Sequence, residues 1–443
     1  MPDPLADEAV ALLRELIRVD TSNPPGNETA AAELLRDYLV RNGVECELIA
    51  RVPGRANLVA RIRGSGGGPS LALTGHTDVV PADARDWQRP PFAAELDADG
   101  YLWGRGAVDM KSQTATNSVA LATLAREGFR PRGDLVLIAQ ADEEDGSDAV
   151  GMQWLVEARP DLRVDYAIDE GGGERIPLAG GGVAVTIGVA EKACLPVLVT
   201  ALGEAGHAST PHLAANAVPR LATLIDRIAR HQPERTLLPV VRRMLEQLGA
   251  GPDGDLDAAV AHVAAQHGTL GDDLPSLLAM TFAPTRLEGS SARNVLPARA
   301  TVDVDCRLLP GQTQADLERE LRAALGDDLP YELAYPEPLS GGTISAIDTP
   351  LYAACESFLA EHDPEAALLP SVSTGFVDSY FMRSAWGTVC YGFWPTRRTP
   401  LDVLHAGVHN RDERIHVDDV AYATRFLLHA ARAIGAHAGT IEA

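Results

Sequence analysis

The chain lacks the long apolar run that a membrane-spanning helix needs. No window of its 443 residues reaches the roughly 18 consecutive apolar residues of such a helix. The beginning of the chain carries Asp3, Asp7, Glu8 and Glu15 and has no basic segment followed by an uninterrupted apolar stretch, so it does not resemble a signal peptide. We therefore expect no membrane insertion and no export, and we expect a soluble cytoplasmic protein.

Basic side chains are also scarce. Lys and Arg together number 38 against 62 for Asp and Glu, which gives a formal net charge of −24. An acidic surface repels the phosphates of nucleic acids and the headgroups of anionic membranes. We therefore expect neither a nucleic acid nor a membrane as a partner.

Cysteines are few and show no pairing pattern. The chain has five, an odd number, and none forms a Cys-x-x-Cys pair. Scattered cysteines in a chain without export signals are predicted to be reduced thiols, with no disulfide or metal role. They are Cys46, Cys194, Cys306, Cys355 and Cys390.

The apolar periodicity predicts an α/β protein of two domains. Short apolar runs that read as strands alternate with helical patterns, which indicates a layered domain with a largely parallel sheet. The predicted helices of this part are 6–19, 30–42, 111–127 and 149–158, and the predicted strands are 57–62, 70–73, 135–139 and 166–168. Glycine-rich 64–68 is predicted to be a hairpin turn.

A second pattern begins near residue 192. A strand, a helix, a strand and a helix follow one another, as in a small α+β domain with one open sheet face. These elements are predicted at 195–202, 214–230, 300–308 and 314–325. The α/β pattern then returns, so we predict a domain inserted at 194–338 into a discontinuous domain made of 1–193 and 339–443.

Five segments rich in histidine and acid stand in a fixed order along the chain. Imidazole nitrogen and carboxylate oxygen are the ligands that Zn²⁺ takes at catalytic sites, and an additional carboxylate is what hydrolysis needs as a base. Three segments directly follow predicted strands, and ligands of α/β sheets bind beyond the carboxyl ends of strands. The segments contain His76-Thr-Asp78, Asp109, Glu143-Glu144, Asp169-Glu170 and His409.

Each of these residues also has an ordinary structural interpretation. His76 could be a hydrogen-bonded loop histidine, Asp109 could cap the helix that begins near Lys111, and Asp169 could lie in a turn. The five segments in this order nevertheless favour a metal site over five unrelated structural roles.

At this point the sequence resembles a known family. The motifs Gly-His-Thr-Asp-Val-Val-Pro at 75–81, Asp-Gly-Tyr-Leu-Trp-Gly-Arg-Gly-Ala-Val-Asp-Met-Lys at 99–111 and Asp-Glu-Glu at 142–144 are similar to those of a di-zinc metallopeptidase family. That family contains aminoacylases, acetylornithine and succinyldiaminopimelate deacylases, and glutamate-releasing carboxypeptidases. The resemblance covers almost the whole chain and is closest to the aminoacylase and vacuolar-type carboxypeptidase branch. It implies a zinc-peptidase-like catalytic domain with an inserted lid domain of the dimerisation type.

The resemblance also implies a ligand set for two zinc ions. Asp109 would bridge them, His76 and Asp169 would complete one, and Glu144 and His409 the other. Asp78 would accept a hydrogen bond from the His76 ring and hold it in orientation. Co²⁺ or Mn²⁺ could substitute for zinc, because sites of mixed His and carboxylate ligands accept all three.

The catalytic base and the local backbone are implied in the same way. Glu143 would be the general base, since its neighbour Glu144 ligates while Glu143 stays free to move a proton. The peptide bond Asp109–Met110 would be cis, as it often is in this family.

The inserted domain carries family motifs as well. His207, in Gly-His-Ala-Ser-Thr-Pro, would stabilise the oxyanion. Asn294 and Arg307 match lid positions that contact the substrate or support that histidine, and Gly375 lies in a segment that lines the substrate pocket. A homodimer through the lid is a possible assembly.

The residues leave several alternatives open. His405 competes with His409 as the last ligand, although the spacing to Glu413 favours His409. Arg383 could contact a substrate carboxylate or be a solvated helix residue. The predicted function is hydrolysis of an amide bond to an amino acid with a free carboxylate, in an N-acyl amino acid or a short peptide. Dipeptidase or carboxypeptidase activity is the alternative within the enzyme class, and a non-catalytic binding protein is the alternative outside it.

Overall fold

The computed structural model describes residues 3–178, 180–251 and 255–437. This part of the chain divides into two compact units. The first unit comprises Met1–Val189, Ser345–Ser371 and Val377–Ala443, and the second comprises Ala190–Ile344 and Val372–Phe376. The predicted insertion, 194–338, falls inside the second unit.

The amino-terminal part of the first unit alternates helices with strands. Its first helix begins with favourable residues: Asp3 accepts a hydrogen bond from the backbone N–H of Leu5, and Pro4 is the first residue of the helix. The helices are α1 (Pro4–Arg18), α2 (Glu28–Arg41), α3 (Lys111–Arg126) and α4 (Met152–Ala158). The strands are β1 (Glu45–Ala50), β2 (Ala56–Ile62), β3 (Leu71–His76), β4 (Glu95–Leu96), β5 (Tyr101–Trp103), β6 (Leu135–Gln140), β7 (Tyr166–Asp169), β8 (Arg175–Pro177) and β9 (Val183–Glu191).

The second unit is built on a smaller antiparallel sheet. Its longest strand alternates exposed or half-buried with buried residues along its whole length, because one face of the sheet packs on helices and the other does not. The elements are β10 (Ala193–Cys194), β11 (Val197–Leu202), β12 (Gly206–His207), α5 (Ala217–Arg230), α6 (Pro239–Gln247), α7 (Leu256–Leu278), β13 (Thr281–Glu288), β14 (Val295–Leu296), β15 (Arg299–Leu308), α8 (Gln314–Leu325) and β16 (Tyr331–Ala334).

The apolar faces of α5 and α8 cover this sheet. Leu221, Leu224 and Ile228 of α5 and Leu317 and Leu321 of α8 are buried in one cluster with the inward side chains of β11 and β15. The sheet has the order β10-β15-β11-β16, with β13 also paired to β15. The predicted α+β character of this part is confirmed.

The chain then returns to the first unit. The remaining elements are α9 (Pro350–His362), β17 (Ala366–Ser373), α10 (Ser379–Trp386), β18 (Val389–Gly392), α11 (Leu401–Gly407), β19 (Arg414–His416) and α12 (Val417–Ala436). Within the described residues, none of the helices combines the length and the apolar character needed to cross a bilayer.

The main sheet of the first unit is mixed. Its order is β1-β2-β6-β3-β7-β18-β9-β17, with β8 attached to β9. The four central strands β6, β3, β7 and β18 run parallel, whereas β1, β2 and β9 join their neighbours antiparallel. The prediction of a largely parallel sheet therefore holds for the centre only, because strand direction depends on pairing that the apolar pattern does not encode.

The predicted hairpin at 64–68 is wrong. This segment joins β2 to β3, but β6 lies between these two strands in the sheet. The backbone N–H groups of Ser65 and Gly66 donate instead to the carbonyls of Pro131 and Arg132, just before β6 begins. The glycines serve a crossover that packs against the start of β6.

Helix α3 is buried on nearly every side and supports the end of β3. Its small polar side chains find partners inside the protein, as buried polar groups must. Asn117 Nδ2 donates to the carbonyl of Thr74 at 2.9 Å, and Thr114 Oγ1 donates to the carbonyl of His76 at 2.8 Å. The backbone that carries His76 is therefore fixed by α3.

Candidate metal centre

Three parallel strands deliver acidic and histidine residues to one edge of the main sheet. Strand β3 ends at His76 between β6, which ends at Gln140, and β7, which ends at Asp169. Residues that follow the carboxyl ends of neighbouring parallel strands lie close together. The segments around His76, Glu143-Glu144 and Glu170 meet for this reason.

Asp109 lies between two histidines. Its Oδ1 is 3.1 Å from His76 Nε2, and its Oδ2 is 3.2 Å from His409 Nε2. His409 reaches this position from a left-handed backbone conformation, with φ of 55°, directly after α11. One carboxylate that addresses a different imidazole with each oxygen has the arrangement of a bridging ligand.

Further carboxylates flank each histidine. Glu144 Oε2 is 2.9 Å from His409 Nε2, whereas Glu170 Oε2 and Glu143 Oε2 are 3.7 and 3.8 Å from His76 Nε2. Two groups of potential ligand atoms each fall within 4.8 Å of one another. They are His76 with Asp109 and Glu144, and His76 with Glu143 and Glu170.

Glu170, and not the predicted Asp169, faces His76. The carboxylate of Asp169 is fully buried and accepts hydrogen bonds from Thr74 Oγ1 and Ser379 Oγ, both at 2.7 Å. Side chains alternate along a strand, so Asp169 shares the face of Ala167, which packs on α10, while Glu170 extends past the strand end. The geometry therefore favours Glu170 over the predicted Asp169 as a candidate ligand.

The second ring nitrogen of His76 faces Asp78. Its Nδ1 lies 3.0 Å from the backbone carbonyl of Asp78 and 3.5 Å from the Asp78 carboxylate. That carboxylate instead accepts hydrogen bonds from the backbone N–H groups of Glu143 and Glu144 and from Asn23. Asp78 thus orients the ring through its carbonyl, and its carboxylate holds the backbone of the two glutamates.

The adjacent glutamates differ in surroundings. The side chain of Glu144 is 2% exposed and that of Glu143 is 13% exposed, so Glu143 has more room at the edge of the site. Burial and the negative charge of nearby Glu170 raise the pKa of Glu143 well above its usual value. A carboxyl group with a raised pKa both accepts and returns a proton, as a general base in amide hydrolysis does.

Glu413 positions the loop that carries Asp109. Its carboxylate accepts the backbone N–H groups of Gly106, Val108 and Asp109 and pairs with the Arg105 guanidinium at 2.8 Å. Burial raises the pKa of Glu413 to about 7. The sequence marked this glutamate only by its distance from His409, and four donors converging on it are visible only in the fold. The peptide bond Asp109–Met110 is cis, as predicted.

Asp378 is a second acidic residue that sequence reasoning missed. It is 4% exposed and accepts a hydrogen bond from Gln140 Nε2 at 3.1 Å. Burial and the nearby charges of Asp169 and Glu170 raise its pKa well above the usual value. The segment that contains Gly375 pointed to this region, but only the packing of α10 beside β7 brings Asp378 to the acidic edge.

The donor set suits divalent metal ions. Two imidazoles and several carboxylates converge; the carboxylates are at most 17% exposed, whereas His409 is 58% exposed. Carboxylates this close together and this poorly hydrated need a cation. Four residues fit as ligands to a pair of ions beside the bridging Asp109. They are His76, Glu144, Glu170 and His409.

The second unit places His207 and Asn294 together. Strand β12 pairs with β14 so that His207 lies opposite Val295, and the Ala208 N–H donates to the carbonyl of Asn294. The Ser209 N–H donates to His207 Nδ1 at 3.1 Å. In the neutral ring the proton therefore sits on Nε2, which makes this nitrogen a hydrogen-bond donor.

Other predicted residues have mainly structural partners. Arg307 pairs with Asp305 two residues earlier on β15, and the Gly375 N–H donates to Ser373 Oγ. Arg383 donates to Ser345 Oγ and to the carbonyl of Cys390 in β18, so its guanidinium helps to hold α10 against this strand. His405 lies 2.7 Å from Glu174, so the geometry favours His409 as the ligand.

Comparison with known proteins agrees with this geometry. Residues 72–433 match the family model described as Peptidase family M20/M25/M40. The chain belongs to this family. The two-unit fold is thus that of an M20 metallopeptidase or amidohydrolase, and the prediction of a hydrolase is confirmed.

Two groups of curated relatives have similar sequence identity to this M20 protein. A succinyl-diaminopimelate desuccinylase of Cereibacter sphaeroides is 31% identical over 93% of this chain and 95% of its own length. Aminoacylase-1 of Mus musculus is 30% identical over 93% of this chain and 91% of its own length. Overall identity therefore does not separate the two branches.

Solved structures share the fold. The M20 metallo-carboxypeptidase Sso-CP2 of Sulfolobus solfataricus superposes with a TM-score of 0.71 at 19% identity, covering 97% of this chain and 99% of its own. The dinuclear metal-binding peptidase YXEP of Bacillus subtilis gives 0.60 at 14% identity, covering 96% and 97%. At such identities the likeness establishes the architecture alone.

Proposed function

We propose that this M20 protein hydrolyses N-acyl amino acids whose amino-acid part carries a free carboxylate. The observation that carries the proposal is the position of Asp109, with one carboxylate oxygen at 3.1 Å from His76 and the other at 3.2 Å from His409. The names of the curated relatives, a desuccinylase and an aminoacylase, support amide hydrolysis at an acylated nitrogen.

The proposed ligands are Asp109 as the bridge, His76 and Glu170 on one side, and Glu144 and His409 on the other. Zinc is the preferred metal because of the mixed imidazole and carboxylate donors, and Co²⁺ or Mn²⁺ could replace it. A metal pair bound there supplies Lewis-acid polarisation of the amide carbonyl and acidifies a water molecule.

The chain itself moves the proton. The Glu143 carboxylate takes a proton from the attacking water and delivers it to the leaving nitrogen, which departs as the amine of the amino acid. Asp78 keeps Glu143 in place through the backbone N–H of that residue, at 3.3 Å. We place His207 as the donor to the developing oxyanion from Nε2, because Nδ1 already accepts from Ser209.

Asn294, Arg307 and Gly375 are proposed substrate-binding residues. Arg307 is half-buried and paired with Asp305, so a substrate carboxylate would compete with or extend that pair. A homodimer through the second unit is part of the same proposal. Peptidase action is the second candidate, and the fold shared with Sso-CP2 is compatible with it.

The test combines metal analysis with turnover. Wild type and Glu143→Gln would be compared by metal content per chain and by hydrolysis of N-acetylmethionine and a panel of dipeptides. We expect about two metal equivalents in both proteins and a loss of kcat of at least about a hundredfold in Glu143→Gln, because the amide cannot act as a base.

Exposed Glu361→Gln on α9 is the matched control, and it should keep full activity. If metal-loaded wild type cleaves dipeptides but no N-acyl amino acid, peptidase action replaces N-acyl amino acid hydrolysis as the proposed function. Full activity of Glu143→Gln would remove Glu143 from the mechanism.

A further inference from the structure

A cavity of about 230 Å³ lies beside the candidate metal centre, within the first unit. Asp109 and Glu170 form part of its wall, so it opens onto the proposed reacting atoms. Its apolar wall consists of Val108, Met110, Trp394, Leu404 and Val408. We call this cavity the side pocket.

The apolar wall is fixed in place. The Trp394 indole N–H donates to Thr116 Oγ1 of α3 at 3.0 Å, and this side chain is only 8% exposed. Leu404 and Val408 are four residues apart at the end of α11, so they lie on one face of the chain. Val408 directly precedes His409, which places the apolar wall next to a candidate ligand.

The charged side chains that line the side pocket are mainly carboxylates. Among the lining residues that the structure describes, there is no lysine or arginine. Glu174 also lines the pocket and lies 2.7 Å from His405, so this histidine is already occupied by a carboxylate. A metal pair held by Asp109 and Glu170 would serve the amide carbonyl at one end of the pocket, so an anionic group farther along the apolar wall would lose its water and find no lysine or arginine in return.

We propose that the side pocket receives the acyl group of the substrate and selects an uncharged aliphatic chain over an anionic one such as succinyl. This inference rests on the function proposed above. The carboxylate of the amino-acid part is disfavoured in the pocket by the same electrostatic argument, and of the two uncharged parts of the substrate we assign the acyl chain to the pocket. Between the two groups of curated relatives, the pocket thus favours the chemistry of a neutral acyl chain.

Four substrates with one amino acid test the selection. The rate constant kcat/KM would be measured for the N-acetyl, N-pentanoyl, N-succinyl and N-succinamoyl derivatives of methionine with metal-loaded wild type. Pentanoyl should exceed acetyl by at least about tenfold, since each buried methylene contributes roughly a factor of four. Succinyl should fall at least about tenfold below pentanoyl, and its neutral amide, succinamoyl, should recover part of that loss.

The possible results distinguish a failure of the acyl selection from a failure of the proposed amide hydrolysis. Succinyl turned over as well as pentanoyl, or acetyl as well as pentanoyl, would overturn the pocket assignment and leave amide hydrolysis standing. Turnover of none of the four by metal-loaded protein would overturn both.

A cavity-filling variant tests the location. Val408→Trp should lower the ratio of kcat/KM for pentanoyl to that for acetyl by at least about fivefold, because the indole takes the space of the longer chain. The control is Val40→Trp on α2, the same substitution at a valine that is 56% exposed and does not line the pocket. It should leave the ratio unchanged.

Metal content would be measured for each variant. If Val408→Trp changes the metal content, the same comparison would be made with Leu404→Phe, one helical turn earlier. An unchanged ratio in a filled variant with full metal content would show that the acyl chain binds elsewhere.

Discussion

Asp169 and Glu170 are neighbours in the chain but have different surroundings. Asp169 ends β7 and is held by two hydroxyl donors, whereas Glu170 lies past the strand end and faces His76 at 3.7 Å. The sequence identified the acidic pair but not which member reaches the metal centre. The choice depends on strand parity and on the position of α10, neither of which a single motif encodes.

Paired substitutions distinguish the two residues. Glu170→Gln is expected to lower bound metal by about one equivalent, because an amide is a weaker ligand than a carboxylate. Asp169→Asn should retain the metal but lower the free energy of unfolding by about 1–3 kcal/mol, since one hydroxyl loses its acceptor. Metal analysis and urea denaturation would measure both, and metal loss confined to Asp169→Asn would reverse the assignment.

We expect His76 and His409 to release protons when metal binds. Hydrogen bonds to Asp109 and Glu144 raise the pKa of His409 to about 10, and Asp109 and Asp78, acting against burial, raise that of His76. Raised pKa values mean that both rings carry protons at neutral pH in the metal-free protein, and ligation must displace them. Affinity for zinc should therefore increase as pH rises from about 6 to about 8.

Calorimetric titration in two buffers of different ionisation enthalpy measures the protons released. Wild type should release more than one proton per chain near pH 7, and His409→Asn should release fewer. Zinc affinity that stays constant across this pH range would contradict the assignment of the histidines as ligands.

At the scale of elements, a buried ion network joins α2 to the loop after β6. Arg55 binds Glu28 at 2.6 Å and Asp142 at 3.1 Å, with its own side chain 5% exposed. Asn23 then connects Asp142 to Asp78 through its amide, at 3.1 and 3.0 Å. The backbone of Glu143 and Glu144 is thus linked to the start of α2, which carries none of the candidate ligands.

Removing the central cation should be costly. Arg55→Met leaves two buried carboxylates without their partner, so we expect the free energy of unfolding to fall by about 3–5 kcal/mol. Arg63→Met is the matched control, because Arg63 pairs with Glu45 while both side chains are more than 60% exposed, at 65% and 62%. Urea midpoints would measure both, and equal destabilisation of the two variants would contradict the importance of burial.

At the scale of the whole molecule, the acids of the centre oppose folding unless a cation is present. Asp109, Glu143, Glu144 and Glu170 converge within the first unit of a chain whose net charge is already −24. Metal bound to the folded state alone stabilises that state by mass action. The second unit has its own apolar core around β11 and β15 and carries none of the proposed ligands.

Metal removal should therefore act locally. After treatment with a chelator, hydrogen exchange is expected to accelerate in peptides covering 104–111, 142–151 and 169–173, because their backbone is ordered around the centre. Peptides of β11 and β15 serve as the internal control and should exchange at the original rate. Equal acceleration in both units, or none in either, would contradict this distribution of metal-dependent stability.

The class of the protein and most residues of the candidate centre could be predicted from the sequence. Apolar periodicity predicted the helices and strands because periods of 3.6 and 2 follow from local backbone geometry. The motifs around His76, Asp109, Glu143, Glu144 and His409 predicted a metal-dependent hydrolase, because imidazole and carboxylate are the side-chain types that such a site needs and because the motifs resemble those of a known family. The cis bond at Asp109–Met110 followed from the family resemblance.

Tertiary structure alone decided how these parts are arranged. It set the antiparallel flanks of the main sheet and replaced the hairpin at 64–68 by a crossover. It brought Glu170, and not Asp169, to face His76. It also revealed Glu413 beneath the Asp109 loop and the apolar wall of the side pocket. These features depend on contacts between residues far apart in the chain, and periodicity and motifs report only on neighbours.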